Sequence, residues 1–324
     1  MKFYIGVEIG VRNIAIGIID KNQKLVRKVS TPTDKDKSFE GVIKDIYELI
    51  EKAIDEEGLE LKQIKSIGVG CPGITDNDKG IVLRNYSLNF ENANIRHELQ
   101  KYINVPVYVE NDANCVAISE YLLGAAYGTS SSLTIKIGNG IGGGLIIDGS
   151  IYNGFNFGGT EFGHMVINQN GRQCTCGRKG CWEMYASASA LIEETKKVTA
   201  ENPDSIIMSL VNNDINQINE TTAYEAAKQG DIYAKKVFDD FIEVLAEGIA
   251  NIVNILMPSV VIIAGPINKL GESLSKPLIS LLSQKIYCKG LKLPEFKMAE
   301  TGGGAIILGA AMLGNFKDDK IEML

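Results

Sequence analysis

The stretch VEIGVRNIAIGIID at residues 7–20 reads as strand, tight turn, strand, and the chain repeats it as IKIGNGIGGGLIID at residues 135–148. Ile9-Gly10 falls on Ile137-Gly138, an offset of 128 positions (138 − 10) that also carries Ile18-Ile19-Asp20 onto Ile146-Ile147-Asp148. Each copy then reaches a short polar turn, Lys21-Asn22 or Gly149-Ser150, before further extended chain. A duplicated hairpin opening each half of a protein predicts two similar α/β domains facing each other. Coincidence between two Gly- and Ile-rich stretches is the competing explanation.

The intervening chain alternates helices and strands. Ser38 is placed to cap a helix in which Phe39, Ile43, Ile46, Ile50 and Ile54 recur at helical spacing. Residues 64–70 read as a buried strand entering the Cys71-Pro72-Gly73 turn. Residues 105–110 read as a strand running into Asn111-Asp112 and a helix over 113–123. Thr222 and Glu225 have the spacing of a capping box. A longer helix follows Gly230, with Val237, Phe241, Leu245, Ile249 and Ile252 on one stripe, and stops at Pro258. Residues 260–264 form a short apolar strand ending at Gly265. Strands closed by glycine turns and followed by helices suit an α/β protein with ligands at strand carboxyl ends. The expected division is 1–120 and 121–302, with a C-terminal helix near 303–324 completing the first domain.

A chain of 324 residues with 45% hydrophobic and 23% charged residues has the composition of a soluble globular protein of two domains. Its net charge of −7 disfavours a nucleic-acid-binding surface. The N-terminal MKFYIGVEIG lacks the apolar run of a signal peptide, and no segment approaches the roughly 20 apolar residues that cross a bilayer. A cytoplasmic protein is expected.

Three of the six cysteines crowd into CTCGRKGC at residues 174–181, ten positions after His164. Cys174, Cys176, Cys181 and His164 make the usual ligand set of a closed tetrahedral zinc site. Gly177 and Gly180 suit a chain turning tightly around an ion. Cys71, Cys115 and Cys288 show no pairing pattern and read as reduced thiols, which also points to the cytoplasm. Glu161, in GGTEFGH, precedes His164 by three residues, and Glu183 follows Cys181 by two. The zinc would therefore aim two carboxylates at one place, an arrangement suited to gripping vicinal sugar hydroxyls. Solvated loop acids are the alternative.

Taken with CPG at 71–73, ENDAN at 110–114 and GNGIGGG at 138–144, the EFGH and CTCGRKGCWEMYAS segments make the chain resemble the ROK family (repressor, open reading frame, kinase) of sugar kinases. The resemblance runs from Tyr4 to about Leu313. It implies the actin-like ATPase fold, with two RNase H-like α/β domains around a central cleft where sugar and ATP meet, and it implies a homodimer or higher homo-oligomer. By matching positions the sugar contacts would be Asn111, Asp112, Glu161, His164 and Glu183, with Asn85 a looser match. His164 would bind zinc through one ring nitrogen and donate to a sugar hydroxyl from the other. Asp112 would be the general base that takes the proton of the primary hydroxyl as it attacks the γ-phosphate, with Mg²⁺ present. Its place between strand and helix is equally that of an N-cap.

On the nucleotide side, Gly138, Gly140, Gly142, Gly143 and Gly144 offer bare backbone amides to a polyphosphate, with Asn139 standing where family kinases carry threonine. The first hairpin departs further. Glu8-Ile9-Gly10-Val11-Arg12 replaces the family's Asp-x-Gly-Gly-Thr, putting a β-branched residue where glycine admits phosphate. Arg12 would either reach a phosphate or fill its pocket, and Glu8 would hold Mg²⁺ through water. Gly265-Pro266 replaces a glycine pair near the adenine end, whereas Gly302-Gly303-Gly304 keeps a flexible turn. The altered loop, together with Trp182, resembles the family's sugar-responsive repressors. The start of the first hairpin at Tyr4 leaves no room for their DNA-binding domain. Two functions stay open: an ATP-dependent hexose kinase, and a kinase-impaired sugar-binding sensor.

Overall fold

The apolar residues of the first hairpin divide by parity between two cores. Ile14, Ile16 and Ile18 enter one cluster with Ile5, Val7 and Ile9, whereas Ala15 and Ile19 enter another with Ile307 and Ala311. That is the alternation of a strand buried on both faces. In this computed structural model, which describes residues 2–34 and 36–316, β1 (Phe3–Ile9) and β2 (Asn13–Asp20) pair antiparallel with Ile9 opposite Ile14. The chain continues into β3 (Leu25–Pro32), antiparallel to β2. On the other side of β1, β4 (Ile64–Cys71) pairs in parallel. A small antiparallel sheet of β5 (Ile74–Asp76), β6 (Ile81–Asn85) and β7 (Phe90–Ala93) follows. Then β8 (Val107–Asn111) adds in parallel to β4, giving the order β3-β2-β1-β4-β8.

The later strands repeat this plan. They are β9 (Ser131–Ile137), β10 (Ile141–Ile147), β11 (Ser150–Ile151), β12 (Val260–Ala264) and β13 (Glu295–Met298), in the order β11-β10-β9-β12-β13. As β4 lies parallel to β1 and β8, so β12 lies parallel to β9 and β13. β9 starts 128 positions after β1 (131 − 3), the offset of the two glycine turns.

Contacts divide the chain into two compact units. One takes in residues up to 130, 144–160 and those from 300 on; the other takes in 131–143 and 161–299. In the first, the amphipathic helix Phe39–Glu56 packs Ile43, Ile46 and Ile50 onto β1, β2 and β4, and Ser38 caps it by accepting from Gly41 N. The helix Ala305–Ala311 lies on the opposite face. A Cβ at Gly6 or Gly68 would run into the carbonyl of Ile307 or Ala310, so that backbone-to-backbone approach requires glycine. Residues 317–324 of the expected C-terminal helix lie outside the described residues. In the second unit Leu133, Ile135, Ile137, Val261 and Ile263 share a core with the helices Ile232–Leu256 and Glu272–Lys285. Among the described residues no helix is long and apolar enough to cross a membrane.

Two local expectations change. Thr222 does not cap: it lies inside the helix Thr222–Lys228, and its hydroxyl accepts from Asn219 N, while Thr221 is the boundary residue. The strand expected at 105–110 forms over 107–111, and the helix after it begins one residue earlier, at Asp112.

Candidate functional site

The second unit carries the cysteine cluster. After the turn Phe162–His164, the chain folds back so that Val166 bridges Cys181 and Gln173 bridges Lys179. Gly177 and Gly180 take φ of 90° and 79°, the left-handed region that the sequence reading required of them. His164, Cys174, Cys176 and Cys181 converge, with one donor atom from each lying within 4.8 Å of the others. Cys176 Sγ is 3.6 Å from Cys181 Sγ, and Cys174 Sγ is 3.6 Å from His164 Nδ1. A tetrahedral ion with zinc's bond lengths needs about 3.8 Å between thiolates and about 3.6 Å between thiolate and imidazole nitrogen, so the set fits such an ion. Burial pushes the Cys174 thiol up to about 12, with Glu183 and the other two thiols adding to it against the opposing Cys176 N–H. Coordination reverses that cost, because a metal-bound thiol gives up its proton.

Glu183 opens the short helix Glu183–Ala186 beside this cluster. Its Oε1 lies 3.2 Å from Cys174 Sγ and 3.5 Å from His164 Nδ1, and its Oε2 accepts from Ile141 N at 3.4 Å. His164 therefore turns Nδ1 to the cluster and keeps Nε2 for another partner. Glu161 is exposed where the turn Phe162–His164 begins. Arg172, which no motif marks, locks the loop. It donates to the Met184 carbonyl, pairs with Glu194 at 2.6 Å and stacks on Tyr185, whose hydroxyl accepts from Arg172 N. Trp182 is a core residue, its indole donating to Val244 O at 3.0 Å and packed against Gly248.

In the same unit Gly138, Asn139 and Gly140 form the turn between β9 and β10, closed by Gly138 N donating to Gly140 O at 2.9 Å. Ala188 N holds the Gly138 carbonyl at 3.0 Å, and a Cβ at Gly140 would meet Glu183 Oε2. Gly142 lies one residue inside β10. Gly265, with φ of 96°, backs onto the carbonyl of Ile137 at the start of this turn. Gly138 has an ordinary φ, and a Cβ on it would meet nothing. Neither conformation nor packing requires glycine there, which leaves a bare backbone open to a ligand.

In the first unit β8 delivers Asn111 and Asp112. Asn111 is the N-cap of the helix Asp112–Leu123: its Oδ1 accepts from Ala113 N and Asn114 N at 2.8 and 3.2 Å, and its Nδ2 donates to Gly73 O at 2.9 Å. The capping role considered for Asp112 thus belongs to its neighbour, and Asp112 is the first helical residue. Beneath it Glu110, 2% exposed, accepts from Asn77 Nδ2, Asn114 Nδ2 and Asn111 N at 2.7–3.0 Å. Asn114 also reaches Asn153 at 2.8 Å. Cys71 is buried close by, and burial first and the Asp112 charge second push its thiol up, so it is inert. Asn85 braces the turn after β6: its Nδ2 donates to Pro72 O, and its Oδ1 accepts from Ser87 N and Leu88 N.

The β1–β2 turn is braced by Thr33, whose hydroxyl donates to Gly10 O at 2.7 Å and whose N–H donates to Arg12 O at 2.9 Å. Arg12 is exposed and Glu8 is half-buried on β1. Gly302, with φ of 66°, and Gly303 stand before the helix Ala305–Ala311, and a Cβ on either would meet nothing.

Residues 4–316 match the ROK family. The glucokinase of Thermotoga maritima is 32% identical over 312 residues, 95% of this chain and 96% of that protein. A xylose repressor of Caldicellulosiruptor bescii is 28% identical over 305 residues, 94% of this chain but 76% of the repressor. The crystal structure of a ROK family glucokinase from Streptomyces griseus, in complex with glucose and AMPPNP, is similar with a TM-score of 0.85 at 29% identity, covering 96% of this chain and 98% of that one. The repeated sheet order is that of the actin-like ATPase fold these kinases share. With the family match running over nearly its whole length and a relative 32% identical over 312 residues, the chain belongs to the ROK family.

Proposed function

We propose that this protein is an ATP-dependent hexose kinase that transfers the γ-phosphoryl group to the primary hydroxyl of a hexose or N-acetylhexosamine. The observation that supports the reading best is at the end of β8, where Asn111 caps the helix and Asp112 is its first residue; Asp112 is assigned as the base. The hydroxyl proton passes to an Asp112 carboxylate oxygen as the hydroxyl oxygen bonds to γ-phosphorus. The bond from phosphorus to the β,γ-bridging oxygen breaks, and ADP leaves. Asn111 keeps one amide hydrogen for the sugar after serving Gly73. Glu161, Glu183 and His164 Nε2 supply the other contacts to sugar hydroxyls.

The glycines at 138, 140, 142, 265 and 302, with Asn139, are assigned to the nucleotide, on the strength of the open backbone at Gly138, Gly302 and Gly303. Glu8, Gly10 and Arg12 are assigned to the phosphate end. Mg²⁺ bound with the nucleotide supplies neutralisation of phosphate charge. The Cys₃His cluster is assigned to structural zinc: four protein ligands leave no position for a reacting water.

A second reading, a sugar sensor that no longer turns over ATP, is favoured by Val11 and Arg12 in the first turn and by the similarity to a xylose repressor. An ADP-release assay with a panel of hexoses separates the two. ATP-dependent turnover with at least one hexose or N-acetylhexosamine is expected; tight hexose binding with no turnover selects the sensor.

A further inference from the structure

Glu120 is a charged side chain with 0% exposure, and nothing assigned so far uses it. It lies in the last turn of the helix Asp112–Leu123, the end at which the helix dipole disfavours negative charge. No lysine or arginine is among its described partners. Its partners are instead hydrogen-bond donors from two short stretches of chain. Ala125 N donates to Oε2 at 2.9 Å, just beyond the helix end. Glu300 N donates to both oxygens at 3.1 Å, Thr301 N donates to Oε1 at 2.9 Å, and the Thr301 hydroxyl donates to Oε1 as well. The approach is close enough that Gly124 must be glycine, since a Cβ there would strike the Glu120 carboxylate and crowd Thr301.

A buried carboxylate in an unfavourable dipole is costly to keep. What it secures here is the position of residues 300 and 301, which lead directly into Gly302-Gly303-Gly304. That turn has a left-handed Gly302, open space where Cβ atoms would be at Gly302 and Gly303, and a further tether from Lys28 Nζ to Gly303 O at 3.3 Å. We infer that Glu120 is a positioning residue for the nucleotide, fixing the glycine turn 302–304 from the same helix that begins with Asp112. The inference rests on the kinase reading and deepens it by naming the group that holds one wall of the ATP site.

The test is Glu120→Gln in the full-length, metal-loaded protein. Glutamine keeps the size but presents an NH₂ to backbone N–H groups that need an acceptor. KM for ATP should rise at least tenfold while kcat falls less than threefold, and the hexose Kd measured without nucleotide should stay within twofold. Amide exchange at Glu300 and Thr301 should accelerate in the variant, a readout that needs no nucleotide. An unchanged ATP KM, or loss of hexose affinity in step with ATP, would overturn the assignment. If Glu120→Gln does not fold, Thr301→Val removes one donor and leaves the carboxylate; a severalfold rise in ATP KM is then expected, and an unchanged KM overturns the proposal. Failure of the wild-type protein to bind ATP would count against the kinase reading, and amide exchange at 300–301 would still report whether Glu120 holds the turn.

Discussion

At Gly68 a hydrogen does what no other side chain could, because the Ala310 carbonyl occupies the space of a Cβ. Gly68→Ala should therefore destabilise the first unit by about 1–3 kcal/mol, the usual cost of overpacking. Urea unfolding of the two proteins measures it, and equal midpoints would show that the helix Ala305–Ala311 can slide away. The same economy of single residues holds at the strand end, where Asn111 caps and Asp112 stands beside it. ENDAN fixed the neighbourhood but not the split of roles, since asparagine and aspartate are both good caps. Glu110 and Glu120 were illegible for a different reason. Beside its neighbours Asn111 and Asn114, Glu110 takes a donor from Asn77, and Glu120 takes backbone donors from residues 125, 300 and 301; partners brought from so far along the chain have no signature in sequence. A lone glutamate at a strand end or in a helical pattern reads as a solvated acid, and only folding shows it to be buried.

Among the elements, the long helix Ile232–Leu256 starts from Asp231, which accepts from Tyr233 N and Ala234 N with one oxygen and from Ser205 Oγ and Ile206 N with the other. Burial acts to raise the Asp231 pKa, but the Ser205 hydroxyl and these N–H groups outweigh it and hold the carboxyl below the usual range. A carboxylate depressed in the folded state stabilises above its unfolded pKa, near 4, and loses that contribution as pH falls through the folded value. Asp231→Asn should thus cost about 1 kcal/mol or more at pH 7. The deficit should shrink in urea melts toward pH 3, and a deficit that grows on acidification would contradict the assignment. The cysteine loop brings together four side chains that fit a tetrahedral ion. Cys176→Ala should reduce zinc from about one per chain and weaken hexose binding together, because the loop that carries Glu161 and Glu183 on either side of His164 and Cys181 would lose its anchor. A variant that keeps full zinc, by metal analysis, would remove Cys176 from the ligand set. The ligands were legible because CTCGRKGC gathers three of them locally. The Thr222 cap was misjudged because the Thr222–Glu225 spacing also fits a threonine whose hydroxyl serves the preceding loop.

For the molecule as a whole, the duplicated glycine hairpin predicted duplicated sheets, and both five-stranded sheets carry the same strand order. That level of organisation was legible because an offset of 128 survives in residues that pack on both faces of the hairpins. The first turn, with Val11 and Arg12 braced by Thr33, is the feature that sets the two functional readings against each other. Replacing Val11 with Gly and Arg12 with Thr should change ATP turnover. A rise means that the native turn obstructs phosphate, and a fall means that Arg12 holds it. As the proposed base, Asp112 takes the proton of the accepting hydroxyl. The most direct test of that role is to measure kcat and hexose Kd side by side for the wild type and Asp112→Asn. A base at Asp112 requires kcat to fall by roughly 10²–10⁴-fold with hexose Kd within severalfold; unchanged kcat, or sugar affinity lost in proportion to activity, would rule that role out.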